Sequence, residues 1–201
     1  HFEAFDADKI ITGMMNSSRW TSSKYYGMTR EEIKQSWDKN RDEAASAGTK
    51  MHYDIECYYN QCPRENDSIE YGYFKAFLQD YGHLVPYRTE WMVYQNEKDG
   101  SLLIYDWKRC RDIKKVNPWG KFATTACIEH LPDTNYWHYC LQLNVYKAIL
   151  EEKYGVFVSE LYLVCMHPDN KNKSYMRIKV VDLQEEVNEL FEVRRKQLNS
   201  K

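Results

Sequence analysis

The stretch IYDWKRC, residues 104–110, ends an apolar run with an aspartate and then, two residues later, a lysine. In a β-strand, residues i and i+2 point to the same face, so Asp106 and Lys108 share one face and Trp107 points to the other. A carboxylate can bind a divalent cation, and an ammonium beside it can position an attacking water molecule. A lone pair of this kind is more often a surface ion pair. The chemistry therefore depends on which residues the fold brings near it.

A histidine and a glutamate in GTKMHYDIE, residues 48–56, are the first such residues. His52 and Glu56 are four residues apart, so a helix places one above the other on the same face. Gly48 and Thr49 let the start of this segment approach a neighbouring element closely. The imidazole and the carboxylate form either a surface pair or half of a divalent-metal site that Asp106 completes.

A stripe of neutral polar residues in HYCLQLNVY, residues 138–146, is the second set. His138, Gln142 and Tyr146 recur every four residues, so they line one side of an otherwise apolar helix. The stripe is either the solvated side of an amphipathic helix or a set of donors and acceptors. In the second case it holds a phosphate or the lysine without competing for a metal.

Composition and charge restrict the class of protein. The 201 residues are 43% hydrophobic and 29% charged, which is typical of one well-packed globular domain and not of a disordered chain. The sequence has no apolar run of about 18 residues, so we expect no membrane span. Six cysteines without a C-x-x-C pair predict free thiols in a reducing compartment, and hence an intracellular protein of the cytoplasm or nucleus.

The net charge of −2 excludes a global basic field of the kind that suggests nucleic-acid binding. Any site for a polyanion must be built locally. The best candidate is the segment 108–121, although a charged run is more often a solvated face. Its basic residues are Lys108, Arg109, Arg111, Lys114, Lys115 and Lys121.

The pattern of apolar residues and turn signals predicts one α/β domain, with helices at both ends and strands in the middle. The predicted helices are 8–17, 29–45, 48–60, 69–80, 135–154 and 183–198. The predicted strands are 88–94, 101–108, 160–166 and 175–181. We expect a single domain over 1–201, with a helical part at 1–47, a core at 48–182 and a closing helix at 183–201.

Together, G-T-x-x-H-x-x-x-E, D-x-K at the end of a strand, and Q-L-x-x-Y on a following helix resemble the PD-(D/E)XK nuclease superfamily. Within it the chain is most similar to the RecB-like and Cas4-like exonuclease branch. The segments SKYYGMT, PYRTEWMVY, DWKRC and YWHYCLQLNVYKAILE resemble nucleases encoded by large DNA viruses. The resemblance extends over roughly residues 6–191, and the order of the three motifs carries it.

This resemblance implies a restriction-endonuclease-like core, which is a central mixed β-sheet flanked by helices. It also implies hydrolysis of DNA phosphodiester bonds with Mg²⁺ or Mn²⁺ by an exonuclease acting in replication, repair or recombination, inside a host cell if viral. A helicase or recombinase is the kind of protein partner that such enzymes have.

The resemblance also implies roles for individual residues. Metal ligands would be His52, Asp106 and the Trp107 carbonyl, while Lys108 would position the attacking water. Glu56 would be a supporting or secondary metal residue. Nucleic-acid contacts would come from Gln142, Tyr146, His138, Thr49, Arg109 and Arg111.

One departure from the family concerns the strand before D-x-K. The family carries an acidic ligand there in a G-x-x-D pattern, and residues 87–100 have no such pattern. The fold also expects three strands before the Q-L-x-x-Y helix, whereas only two are predicted. Either Glu90 replaces the ligand, or a segment is missing from the sequence near Tyr94-Gln95. We favour the omission because it explains both deficits, and it predicts a break in the chain between Tyr94 and Gln95. A normal connection would instead predict weak metal binding or lost catalysis.

Two other functions fit the same residues. One is a catalytically impaired nucleic-acid-binding module, in which aromatic clusters such as Trp20, Tyr25 and Tyr26 stack on unpaired bases. Core packing is the commoner use of such aromatic residues. The other is an RNA-cleaving endonuclease, because no residue pattern indicates recognition of a 2′-hydroxyl.

Overall fold

A computed structural model of the chain describes residues 1–62, 64–88, 93–95 and 99–200. Five strands form one mixed sheet in the order β1–β2–β3–β4–β5. They are β1 Val85–Arg88, β2 Val93–Gln95, β3 Leu102–Lys108, β4 Val158–Cys165 and β5 Met176–Lys179. The pair β3–β4 is parallel, and the other three pairs are antiparallel.

Five α-helices flank this sheet in the described parts of the chain. They are α1 Ala7–Met15, α2 Arg30–Tyr59, α3 Ile69–Tyr81, α4 Asn135–Tyr154 and α5 Gln184–Asn199. Helix α4 lies in the connection between the parallel strands β3 and β4, as such a crossover requires. The mixed sheet, the flanking helices and the N-terminal helical region confirm the predicted α/β fold class. None of the described helices has the length and apolar character to cross a membrane.

Helix α2 unites two segments that were predicted separately, 29–45 and 48–60. It begins with a capping box, in which the Thr29 side chain accepts from the Glu32 backbone N–H and the Glu32 carboxylate accepts from the Thr29 backbone N–H. The predicted boundary at residue 47 therefore falls inside one continuous helix.

The alternation of β3 between two cores decides where the D-x-K residues point. Leu102 and Ile104 pack into the core on the side of α4 and α5. Leu103 and Tyr105 pack on the other side, with Trp107, in the core that α2 and α3 contribute. By this alternation Asp106 and Lys108 follow Ile104 toward the side of α4.

The strands before β3 differ from those predicted. The predicted strand 88–94 is wrong, because β1 ends at Arg88 and β2 begins at Val93. Three strands therefore precede α4 in the described ranges, as the resemblance implies, and not the two that were predicted. Pro86 is compatible with β1 because β1 is an edge strand, where proline is tolerated.

Tyr94 and Gln95 both belong to β2, and they pair in consecutive register with Leu103 and Leu102. The omitted segment stays a prediction about the natural protein. Since β1 supplies the third strand that the resemblance implies, the missing acidic ligand is the deficit that remains. Glu90, the alternative ligand, lies outside the described residues.

Continuity at β2 can be tested by peptide mapping. Trypsin cleaves after Arg88 and Lys98, so a continuous chain yields the peptide TEWMVYQNEK, residues 89–98. We expect mass spectrometry of a tryptic digest of the natural protein to find this peptide. A longer peptide that begins with TEWMVY would contradict the continuous strand and support the hypothesis of an omitted segment. The tryptic peptide 180–194, VVDLQEEVNELFEVR, serves as the internal control.

Candidate active site

A cleft of about 570 Å³ lies where α4 faces the sheet. Its lining combines apolar side chains with a few polar groups, which is the usual composition of a binding site. Five residues that the sequence singled out line this cleft together, although they come from three different elements. They are His52, Asp106, Lys108, Gln142 and Tyr146.

The carboxylate and the ammonium of the D-x-K motif form an ion pair on the cleft wall. Lys108 Nζ lies 2.7 Å from Asp106 Oδ2, and the two side chains are only 19% and 16% exposed. Partial burial lowers the effective dielectric constant, so this pair interacts more strongly than an exposed one. The alternative reading of the motif, a surface ion pair, does not fit these exposures.

Helix α4 holds the lysine from the opposite side of the cleft. Lys108 Nζ donates to Gln142 Oε1 at 3.0 Å, and Gln142 Nε2 donates to the Tyr146 hydroxyl at 2.8 Å. The ammonium also lies 4.7 Å from the centre of the Tyr139 ring, a cation–π distance. Lys108 is therefore fixed by one carboxylate, one amide and one aromatic face.

His52 reaches the cleft from α2. Burial lowers the pKa of His52, and the nearby Lys108 ammonium lowers it further, whereas Asp106 and a hydrogen bond to the Trp107 backbone raise it. The imidazole is consequently neutral at pH 7, which is the protonation state in which histidine binds a metal.

Asp106 is ionised at a cost. Burial raises the pKa of Asp106, although Lys108 and His52 act in the opposite direction. Its Oδ2 atom is buried and, apart from the ion pair, has no hydrogen-bond partner among the described residues. A buried carboxylate oxygen without a hydrogen bond is destabilising, and a bound cation would remove that cost.

The donors around Asp106 fit part of a divalent-metal site. An imidazole, a carboxylate and the Trp107 backbone lie close together, and Mg²⁺ commonly takes only one or two carboxylates and keeps water and phosphate oxygens as its other ligands. No cluster of three or more His, Cys, Asp or Glu side chains suited to a metal occurs within the described ranges. For such an ion, the described residues would supply two side-chain ligands here.

Glu56 and Thr49, two of the predicted site residues, do not line this cleft. Glu56 is half-buried one turn beyond His52. Burial raises the pKa of the Cys62 thiol, and the charge of Glu56 adds to that effect. Thr49 lies in a separate shallow groove on α2 beside Lys50 and Tyr53. Neither residue lines the cleft that contains Lys108.

His138 lines a second cavity, of about 740 Å³, which shares Gln142 with the first. His138 Nε2 lies 2.8 Å from Asp133 Oδ1, and its ring centre is 4.0 Å from that of Phe2. The three polar residues on α4 therefore do not share one site. Gln142 and Tyr146 line the first cleft, whereas His138 lines only the second cavity.

The two arginines after the motif have different positions. Arg109 Nε donates to Glu70 Oε1 at 2.7 Å, and both side chains are largely buried, so this pair joins the end of β3 to α3. Its contact with nucleic acid stays a prediction, and the pairing engages part of its guanidinium. Arg111 is exposed and pairs with its neighbour Asp112 at 3.0 Å.

The sequence interpretation did not include Tyr139, whose ring covers the lysine. Tyr139 lies three residues before Gln142 on α4, so helical spacing alone could have placed it on the same side. Burial raises its pKa to about 12, so the ring remains a neutral phenol beside the ammonium. All six cysteines are free thiols, as predicted.

Neither protein-family models nor curated protein sequences give a match to this chain. The geometry of the cleft therefore carries the functional argument, together with the sequence resemblance.

Removing the carboxylate should stabilise the protein at neutral pH. The folded state raises the pKa of Asp106, so the folded chain holds that proton more tightly than the unfolded chain does. Ionisation then costs stability, a cost that is absent below the unfolded pKa of about 4 and appears as the pH rises through the folded pKa. We expect Asp106→Asn to raise the melting temperature at pH 7, by an amount that shrinks as the pH is lowered toward 4.

Calorimetry or circular dichroism across that pH range measures the effect, with Asp169→Asn as an exposed control. A melting temperature for Asp106→Asn that is below the wild-type value at pH 7 would show that the Lys108 contact outweighs the burial of the carboxylate.

Proposed function

We propose that this protein is a divalent-metal-dependent nuclease that hydrolyses phosphodiester bonds in DNA. The observation that carries the proposal is the cluster of Asp106, Lys108 and Gln142 in the cleft, with neutral His52 beside it. A carboxylate and an imidazole suit a hard divalent cation, and an ammonium next to them suits an anionic phosphate.

Metal and protein would divide the chemistry. When bound to Asp106, His52 and the Trp107 carbonyl, Mg²⁺ or Mn²⁺ supplies a Lewis acid that polarises the phosphoryl oxygen and stabilises the leaving oxygen. The ammonium of Lys108 orients the attacking water and favours its deprotonated form. Gln142 and Tyr139 keep that ammonium in place, so its orientation does not depend on Asp106 alone.

The resemblance to PD-(D/E)XK nucleases supports an exonuclease with a role in replication, repair or recombination. It also supports an intracellular location and a helicase or recombinase partner. RNA as the substrate is the alternative that the assay must include, because the cleft residues do not distinguish the two sugars.

A second candidate function follows from the metal ligands. Within the described parts of the chain, no further carboxylate joins Asp106 and His52 to complete a cluster of three. A chain with only two side-chain ligands could bind nucleic acid in the cleft without cleaving it. This candidate is a nucleic-acid-binding module on the same fold.

Cleavage assays test the proposal. We expect the wild-type protein to degrade end-labelled DNA with Mg²⁺ or Mn²⁺ and to lose activity in EDTA. Asp106→Ala and Lys108→Ala should each lower the rate by at least about 100-fold, since each removes a group that acts on the reacting phosphate or water. Single- and double-stranded DNA, labelled at either end, and RNA of the same sequence give polarity and substrate preference.

The matched control is a second carboxylate–ammonium pair that is remote from the cleft. Glu160 and Lys179 form an ion pair of 2.6 Å between β4 and β5, and neither residue lines the cleft. Glu160→Ala and Lys179→Ala should leave the rate within about twofold. Digestion that survives Asp106→Ala would refute the site, and binding without digestion by the wild type would favour the binding module.

A further inference from the structure

The loop between β3 and α4 exposes large apolar side chains to an unusual degree. Trp119 is 84% exposed, Val116 is 75% exposed and Phe122 is 49% exposed. Leaving an indole ring in water gives up the stabilisation that burial of its apolar area would bring. A group of such residues on a surface is typical of a binding site.

A tight turn places Trp119 at the tip of this loop. The sequence Asn117-Pro118-Trp119-Gly120 forms the turn, with the Gly120 N–H donating to the Asn117 carbonyl at 3.1 Å. The Trp119 N–H donates to the Asn117 side-chain oxygen at 2.8 Å. Gly120 has a φ of +64°, which favours glycine. Proline at the second position and glycine at the fourth are the residues that this kind of turn prefers.

Hydrogen bonds to α4 and its N-terminal cap region hold the loop in place. The Asn117 amide donates to the Asp133 carbonyl at 2.6 Å, and the Trp137 indole donates to the Lys115 carbonyl at 2.9 Å. Asn135 both donates to the Asp112 carbonyl and accepts from the Lys114 N–H. The exposed ring is therefore presented by an ordered loop, which lowers the entropic cost of binding a ligand.

The charge of the same segment indicates the kind of ligand. Residues 108–121 contain six basic residues and one acidic residue, Asp112, in a chain whose net charge is −2. Lys114 and Lys115 flank Val116, and neither forms an ion pair with a described residue. Lys115 Nζ lies 4.6 Å from the Tyr136 ring centre. Aromatic and basic side chains together match the bases and phosphates of an unpaired strand.

The position of the loop connects it to the cleft. It begins directly after Lys108 and ends at the first residue of α4. Gln142 follows seven residues later on that helix, which is about 10 Å along its axis. The two ends of the loop are thus joined to the two elements that carry Lys108 and Gln142.

We propose that the β3–α4 loop binds single-stranded nucleic acid, with Trp119 stacked on an unpaired base and Lys114 and Lys115 contacting phosphates. The inference rests on the proposed function for the chemical class of the occupant, and it adds a preference for unpaired strands. The charge of the segment favours this occupant over an apolar surface of another protein.

Binding without cleavage tests the inference separately from the nuclease activity. In an Asp106→Asn background with EDTA, fluorescence anisotropy of a labelled single-stranded oligonucleotide gives the dissociation constant. We expect Trp119→Ala to weaken binding by about 5- to 100-fold, because loss of one stacked base costs about 1–3 kcal/mol. Trp119→Phe should restore most of the affinity. Trp119→Ala should change the affinity for blunt duplex DNA far less than the affinity for the single strand. Combined Lys114→Ala and Lys115→Ala should reduce the salt dependence of binding.

The matched control is Phe157→Ala. Phe157 is 66% exposed and has Lys147 Nζ 5.5 Å from its ring centre, but it lies beside Leu102 at the opposite end of β3. This variant should bind the strand as the parent does, and the melting temperatures of all variants should agree because the altered side chains are exposed.

Oligonucleotides with a single abasic site give the decisive comparison. When the abasic site is at one or two particular positions of the oligonucleotide, binding to the Asp106→Asn parent should weaken. The same oligonucleotides should bind the Trp119→Ala variant about as well as the intact strand does. Equal affinity of the parent and Trp119→Ala for single strands would overturn the inference and point to a protein as the occupant of the loop. That result would not contradict the proposed nuclease activity. In the same way, a lack of cleavage would not contradict binding of single strands by the loop.

Discussion

The burial of Trp107 sets the geometry of the whole candidate site. Its side chain has no exposed surface, and its ring meets Phe74 and Phe77 of α3 edge-on at centroid distances of 5.6 and 4.8 Å. Because neighbouring residues of a strand point to opposite faces, this anchor commits Asp106 and Lys108 to the side of α4. A slip of one residue would bury both charges in the aromatic core and expose the indole, so the register is strongly determined.

The arrangement reduces the stability of the folded protein at the cleft, where Asp106 is buried. Taking a carboxylate out of water raises the pKa of Asp106, and among the described residues its buried Oδ2 atom has only the ion pair with Lys108. The contacts of Lys108 with Gln142 and the Tyr139 ring offset part of this cost from the helix side. Side chains held in a position that does not favour folding are typical of sites that act on a ligand.

Local patterns made much of the fold predictable. The capping box of α2 and the turn and glycine signals around α4 gave the correct kind of element, and the limits 135–154 of α4 match the structure. The i, i+2 and i, i+4 spacings also placed Asp106 with Lys108 and Gln142 with Tyr146. These predictions depend only on the geometry of one strand or one helix.

Contacts between distant parts of the chain could not be predicted in this way. Arg109 looked like a free cation because its partner Glu70 lies 39 residues earlier, on α3. His138 belongs to the helical stripe by spacing, yet its neighbour Phe2 turns it toward a different cavity. The strand Val85–Arg88 was not predicted, and it is defined by its pairing with β2 at the edge of the sheet.

Binding of Mn²⁺ to the protein without nucleic acid tests the central claim most directly, because it requires only the ligands and not catalysis. Calorimetry or electron paramagnetic resonance at pH 7.5 should find one Mn²⁺ site. Asp106→Asn and His52→Ala should each weaken it by more than about 10-fold, which is what the loss of a supporting residue already costs. Glu160→Gln, in the remote ion pair, should leave it unchanged. Equal Mn²⁺ affinity for the wild type and Asp106→Asn would contradict a metal site in this cleft.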